Sequence, residues 1–490
     1  MTRRIETGAR IDGFVVGACV HDGGMGLIFR VEGPDTGFPL MMKVPRLGQG
    51  QPTEGIVGFE METMLLRAIR SAHAPRFVAA GDLTETPYLV TEWIEGDNLE
   101  QVVRSAPIAP DRVARIGAAL ADAAASLHRQ GVIHLDIKPG NVLLRADGTA
   151  VLIDYGLSHH ERLPDLLAEE MRKAVGTAEY ISPEQVLGVR NDPRSDVFAI
   201  GVVMYELATG ELPFGAPESV SGLRDRLWLD PKPPRAIVAT IPEWLQEVIL
   251  RCIDARPEQR YPTAEQLAFA LRHPDRVDVT ERGRKLKRLG VMAHLKRWVG
   301  AAGREAEIVA PTATQLDEAP IIVAAVDTVH LDDPLQKSLQ AAVLRVVRHA
   351  PGARLAAITV VRDAPLMDAA GVDKTSSGLH LDHLVRLRHW AAPMGLPPER
   401  LTVHAFEGSN PAQVVLEFAR ANHASLIVIG AAHYSEPRLG LGRSITTTVA
   451  EEAPCSVYIV RASAAVLGTP AGDDGAHSGG QAGGGASPQA

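Results

Sequence analysis

The chain has 490 residues, 46% of them hydrophobic and 22% charged, with a formal net charge of −9. That length suits about three globular units, each able to bury a core, and the acidic balance argues against a nucleic-acid partner. Three cysteines, Cys19, Cys252 and Cys455, lie far apart and form no CxxC pair, which disfavours a zinc site or disulfide framework and suits a reducing cytoplasm. The start, Met1 to Gly8, has no apolar stretch of the signal-peptide kind, and no window approaches the roughly 20 apolar residues of a membrane span. A soluble, cytoplasmic protein is expected.

The first predicted elements are two strands around a glycine-rich turn: Phe14-Val15-Val16-Gly17, then Gly23-Gly24-Met25-Gly26, then Leu27-Ile28-Phe29. Glycines let a backbone approach phosphate where a Cβ would intrude, although such a cluster alone also reads as a plain hairpin. A further apolar strand, Met41-Met42-Lys43-Val44, carries one lysine. Between Phe59 and Ile69 the residues Phe59, Met61, Met64, Leu65, Leu66 and Ile69 follow a helical period, with Glu62 among them. Strand Tyr88-Leu89-Val90-Thr91 runs into Glu92-Trp93-Ile94-Glu95-Gly96. Asp111 to Gln130 reads as a long helix with Val113, Ile116, Leu120, Ala124 and Leu127 on one face and Gly131 as its C-cap.

That helix delivers the chain into His134-Leu135-Asp136-Ile137-Lys138-Pro139-Gly140-Asn141, followed by the apolar run Val142-Leu143-Leu144; Asp154 comes next, within Ile153-Asp154-Tyr155-Gly156. Phosphoryl transfer asks for an oriented hydroxyl, a cation-binding pair, and positive charge around the moving phosphate. Asp136 can orient the hydroxyl, Lys138 supplies charge, and Asn141 with Asp154 form a Mg²⁺-binding pair. Their order and spacing resemble the catalytic loop and DFG segment of eukaryotic-like (bacterial-type) serine/threonine protein kinases.

The resemblance covers roughly residues 12–273 and implies an α+β bilobal protein kinase fold, with a small lobe over about 12–95 and a large lobe over about 96–273. It implies an ATP site made by Val20, His21, Gly23, Gly24, Gly26 and Ile28 of the phosphate loop, where His21 replaces the first family glycine. Lys43 is then the strand lysine and Glu62 its helix partner. Thr91 is the gatekeeper, and backbone groups around Glu92 and Ile94 bind the adenine edge. ATP and Mg²⁺ are the implied cofactors, with Mn²⁺ as an alternative. Downstream, Gly176-Thr177-Ala178-Glu179-Tyr180 and Ser182-Pro183-Glu184 resemble the substrate loop and the APE segment, Glu184 pairing with Arg260. Asp196 braces the catalytic loop backbone. Lys138 with Thr177 matches serine/threonine rather than tyrosine specificity. The arginine that normally precedes the catalytic aspartate, and receives a phosphorylated activation loop, is here Leu135. From His159 to Val175 that loop has no Ser, Thr or Tyr, so a kinase not switched by loop phosphorylation is expected.

Residues 274–318 read as a basic amphipathic helix and linker, with Arg282, Arg284, Lys285, Lys287, Arg288, Lys296 and Arg297 interleaved with Leu286, Leu289, Met292, Leu295, Trp298 and Val299. The apolar stripe is expected to pack on a neighbouring domain with its charges solvated, and membrane contact is not expected. From Pro320, apolar strands alternate with helices, which means a buried parallel sheet. Ile322-Val323-Ala324-Ala325-Val326-Asp327 and Ala453-Pro454-Cys455-Ser456-Val457-Tyr458-Ile459-Val460 resemble the universal stress protein family, implying an α/β parallel-sheet domain over 319–461. Its relatives' ATP loop reads G-x₂-G-x₉-G-[ST]; Gly430 and Ser444 fit its ends, but His433 and Arg443 replace the inner glycines, so loss of that site is expected. His380 and His383 are expected to be solvated helix histidines rather than metal ligands. The Gly/Ala/Ser-rich tail, 462–490, is expected to be disordered.

Together these readings predict an ATP-dependent kinase acting on Ser or Thr of protein substrates and regulated by its C-terminal module. That module is expected to offer a homodimer contact. The competing reading is a pseudokinase scaffold or a stress-signal sensor acting through protein contacts.

Overall fold

The computed structural model of the chain describes residues 5–23, 26–46, 53–81, 86–170, 177–217, 220–287, 320–361, 376–397, 400–431 and 444–462. Gly24, the connector beyond Lys287, His433, Arg443 and the tail beyond Ala462 lie outside these residues, as do the expectations attached to them.

In the N-terminal lobe the strand period decides which side chains meet. Strands β1 (Arg10–Ile11), β2 (Phe14–Gly23), β3 (Gly26–Glu32), β4 (Leu40–Val44), β5 (Phe77–Ala80) and β6 (Leu89–Glu92) form an antiparallel sheet in the order β1-β2-β3-β4-β6-β5. Leu40 and Met42 of β4 bury with Phe14, Val16, Phe29 and Val90 on one face. Alternation then turns Lys43 to the opposite face, where helix α1 (Thr53–Ala68) lies. Met61 and Leu65 of α1 are fully buried, and the helix starts earlier than Phe59 because Ile56 and Val57 extend its apolar pattern.

The C-terminal lobe is helical. Helix α2 (Pro110–His128) packs its small and apolar residues on later helices of the lobe. The chain then crosses a hairpin of β7 (Val142–Leu144) and β8 (Ala150–Leu152), paired antiparallel with Val142 opposite Leu152. That register sets Asn141, just before β7, beside Ile153, just after β8. After a short helix α3 (Leu166–Glu170) comes α4 (Arg194–Thr209), apolar on nearly every side and therefore the central core helix. Helices α5 (Glu243–Cys252) and α6 (Ala264–Arg272) close the lobe.

In the described part of the connector, residues 274–287, Pro274–Arg276 forms a 3-10 turn, Glu281–Arg284 is helical and Lys285 turns to extended backbone. The rest of the expected amphipathic helix lies outside the described residues. Arg282 pairs with Glu247 and Asp254, and Lys285 with Asp230, whereas Arg284 and Lys287 are exposed. Gly283 donates its N–H to Glu247 and its carbonyl accepts from Gln246, so the large lobe holds this segment as its own edge.

The second module is a parallel sheet of β9 (Ile321–Ala325), β10 (Arg354–Val361), β11 (Leu401–Glu407), β12 (Leu426–Ala431) and β13 (Ser456–Arg461) in the order β11-β10-β9-β12-β13. Helices α7 (Pro334–His349), α8 (Ser376–Ala391), α9 (Pro411–Ala421) and α10 (Ile445–Glu452) cover its two faces. His383 of α8 is not a solvated histidine as expected. It is buried, with Nδ1 2.6 Å from Thr328 Oγ1, because the residue falls on the helix face turned to the sheet. No helix among the described residues is long and apolar enough to cross a membrane.

Candidate active site

The site forms where the two lobes meet. In the buried interior of the small lobe, Lys43 Nζ lies 2.5 Å from Glu62 Oε2 and 3.4 Å from Asp154 Oδ1. Burial alone would lower the lysine's pKa. Asp154 and Glu62 outweigh it and raise the pKa above the ordinary lysine value, so Lys43 stays an ammonium. Burial likewise pushes the Asp154 carboxyl up, and Lys43, Lys138 and His134 more than reverse this, holding it below the usual carboxylate range. Both groups are therefore charged at neutral pH.

Asp154 sits at φ +66°, a left-handed conformation rare for a residue with a side chain. Gly156 beyond it lies against Gly58 of α1, whose carbonyl oxygen would be 3.3 Å from a Cβ on Gly156. Two glycines thus let α1 touch the segment carrying Asp154.

On the large-lobe side Asp136 is held from four directions. Oδ1 accepts from Thr177 Oγ1 at 2.8 Å and Thr177 N at 3.2 Å; Oδ2 accepts from Lys138 Nζ at 2.8 Å and Asn141 Nδ2 at 2.9 Å. Lys138 Nζ also donates to Thr177 Oγ1 at 2.6 Å. Asn141 spends its amide hydrogens on Asp136, which leaves its Oδ1 as the atom to meet a cation. Its backbone carbonyl accepts from Ile153 N at 3.0 Å, tying it to the residue before Asp154. An amide oxygen beside a carboxylate is a hard-oxygen donor set that fits a divalent cation sharing its shell with phosphate oxygens. Among the described residues no group of three or more His, Cys, Asp or Glu side chains is placed to hold a metal without such help.

The loop under Asp136 is braced by Asp196. Its carboxylate accepts the backbone N–H groups of His134 and Leu135, each at 2.9 Å, and lies 2.8 Å from His128 Nε2. Leu135, at φ +63°, is the strained residue this bracing holds. Glu184 accepts from Arg260 at 2.6 and 2.8 Å, and Arg260 is fully buried.

The phosphate-loop hairpin runs from Val20, an exposed side chain, through His21, which pairs with Ile28, to Gly23, which pairs with Gly26. At Gly26, φ is +139° and a Cβ would lie 2.3 Å from the Val44 carbonyl oxygen, so only glycine fits. At the back of the cleft Thr91, Glu92 and Ile94 are buried. The Glu92 N–H donates to Arg76 O, its carboxylate pairs with Arg76 and Arg145, and its carbonyl accepts from Thr91 Oγ1 at 3.4 Å.

Residues 15–273 match the family model described as "Protein kinase domain". The chain belongs to the protein kinase family. The kinase is 30% identical to serine/threonine-protein kinase PknB of Mycolicibacterium smegmatis over 267 residues, 52% of this chain and 42% of that relative. It is 29% identical to serine/threonine-protein kinase PknL of Mycobacterium bovis over 252 residues, 51% of this chain and 63% of PknL. A probable serine/threonine-protein kinase of Clostridium perfringens is 27% identical over 250 residues, 51% of this chain and 36% of that relative. The kinase thus matches less than half the length of two of these three. Residues 320–461 match the universal stress protein family model.

Several contacts of this site had no signal in the sequence. Asp165 of the activation segment accepts from Arg190 at 2.8 Å and lies 3.1 Å from His159. Glu169, in α3, lies 2.6 Å from Arg354 and 3.0 Å from His404, both in the C-terminal module. Long-range pairs of this kind follow no local spacing.

Proposed function

We propose that this chain is a cytoplasmic protein kinase that transfers the γ-phosphate of ATP to serine or threonine hydroxyls of proteins. The observation that carries the reading is the assembled buried triad in which Lys43 bridges Glu62 and Asp154 across the cleft from Asp136. Lys43, kept charged and aimed by Glu62, draws the α- and β-phosphates into place. Asp136 orients the incoming hydroxyl and takes up its proton as the oxygen bonds the γ-phosphorus and the bond from that phosphorus to the β-phosphate oxygen breaks, releasing ADP. Lys138, fixed between Asp136 and Thr177, sets positive charge beside the moving phosphoryl group. Asn141 and Asp154 would hold Mg²⁺, or Mn²⁺ of the same ligand preference, which when bound neutralises charge on the phosphates. Val20, His21, Gly23, Gly24, Gly26 and Ile28 cover the nucleotide, with Thr91, the Glu92 carbonyl and the Ile94 backbone at the adenine. Thr177 under the catalytic carboxylate supports hydroxyl acceptors of the serine and threonine kind. The exposed Tyr458 and Ile459 on edge strand β13 support a homodimer through the C-terminal module.

The test is Asp136→Asn. It should lower phosphate transfer from labelled ATP to a generic substrate by about 100-fold or more, the scale of losing a positioned base. Affinity for a non-hydrolysable ATP analogue should stay near wild type, since Asp136 makes no necessary contact with the nucleotide. Transfer at the wild-type rate by the purified variant would refute the assignment.

A further inference from the structure

Helix α1 is held from two sides. Its inner face carries Glu62 onto Lys43. Ile56 and Glu60, one turn apart and so on a common face, turn the other way. Ile56 is buried within the core of the C-terminal module, in the cluster that contains Leu384, Leu387 and Trp390. Glu60 forms an ion pair with Arg388 of α8. The module also grips the activation segment. Glu169 is buried, and there Arg354 at 2.6 Å and His404 at 3.0 Å face it. Burial pushes the Glu169 carboxyl up, and Arg354 and His404 outweigh this to hold it below the ordinary range. His404 is itself fixed at the module's core, its ring 5.1 Å from that of Phe418.

These contacts fall on the two elements whose placement decides whether the cleft can work. The usual device for placing the segment is missing, because Leu135 stands where an arginine would receive a phosphate and residues 159–175 carry no hydroxyl. The segment carries carboxylates instead, and two of them, Asp165 and Glu169, are gripped by partners distant in sequence. Asp165 is held within the large lobe, whereas Glu169 faces Arg354 and His404 of the second module.

We infer that the C-terminal module is a built-in positioning element of the kinase: Arg354 and His404 on Glu169, with Arg388 and Ile56 on α1, hold the Lys43–Glu62 pair closed. The inference rests on the kinase reading above and adds to it the part of the chain that regulates the cleft. Undocking the module frees α1 to swing Glu62 off Lys43, so the docked chain is the active form. A signal that loosens this interface lowers turnover from outside the cleft, by letting Glu62 leave Lys43.

The test uses the full-length chain carrying Arg354→Ala and Arg388→Ala together. Turnover should fall about tenfold or more, within the usual range of coupling between sites. Binding of a non-hydrolysable ATP analogue should remain stoichiometric with nearly unchanged affinity. Hydrogen exchange should quicken in α1 while β9 and β10 stay protected. The conservative pair Arg354→Lys and Arg388→Lys should restore part of both the rate and the α1 protection, which a misfolded module would not. Unchanged α1 exchange in the alanine variant would overturn the inference whatever the rate, and so would loosened α1 with wild-type turnover. A wild-type chain with no phosphate transfer would remove the kinase reading instead. In that case loss of α1 protection in the alanine variant supports the clamp and intact protection overturns it.

Discussion

Replacing Asp196 with alanine should damage this kinase more than any comparable change of a residue that touches no substrate. Asp196 is fully buried, and its two oxygens accept the N–H groups of His134 and Leu135, which are themselves buried. Alanine leaves both donors without a partner, at a cost of about 1–3 kcal/mol each, or roughly 2–6 kcal/mol together. It also removes what holds Leu135 at φ +63°, a conformation that stores about 1–3 kcal/mol. Relaxation of Leu135 moves its neighbour Asp136, and a displacement of about 1 Å at a reacting group costs on the order of 100-fold in rate. At about 2–4 °C per kcal/mol for a domain near this size, the kinase transition should drop by roughly 5–20 °C. Calorimetry reads it, with an ATP analogue identifying which transition belongs to the kinase lobes, and turnover is measured well below that transition. Asp196→Asn keeps one acceptor oxygen and should lose about half as much stability. A melting temperature within about 2 °C of wild type, with turnover within threefold, would refute the bracing argument.

Phosphatase-treated enzyme should keep most of its activity, because Ser158 is buried with its hydroxyl on the His134 carbonyl and Thr177 is engaged by Asp136 and Lys138; a large loss tracking with either residue by mass spectrometry would contradict this. Asp165→Asn should lower the melting temperature at neutral pH, and the gap to wild type should close as pH falls below about 4. Burial raises the Asp165 carboxyl, but Arg190 and His159 depress it far more, so its stabilisation is present above the unfolded-state value and is lost on acidification; a gap independent of pH would show that the pair contributes nothing. Calorimetry on the full-length chain should find one ATP-analogue site, since His433 and Arg443 stand where glycines would wrap a second phosphate chain; two sites would refute that.

Elements with strong local signals were legible before any coordinates. The lysine strand, the glutamate helix and the catalytic loop each carry their chemistry in a short window, because strand alternation and helical period are properties of neighbouring residues. Parallel strands from Ile321 to Arg461 were readable for the same reason. The anchoring of the connector's first residues was not legible, because Glu247, Asp254 and Asp230, which pair with Arg282 and Lys285, come from elsewhere in the chain. His383 was misread because a helix position alone does not say which face meets a sheet.

Sequence by itself named the residues of the proposed site, Asp136, Lys138, Asn141 and Asp154 at spacings a hairpin can bring together and Lys43 with Glu62, and a second α/β unit behind them. Only the tertiary structure decided that Lys43 lies 2.5 Å from Glu62, and that the helix bearing Glu62 rests its outer face on the C-terminal module. Glu169 meets Arg354 across 185 positions of sequence. No local pattern encodes such a pair, since its energy depends on burial and on the packing of two domains that each fold by their own periodicities.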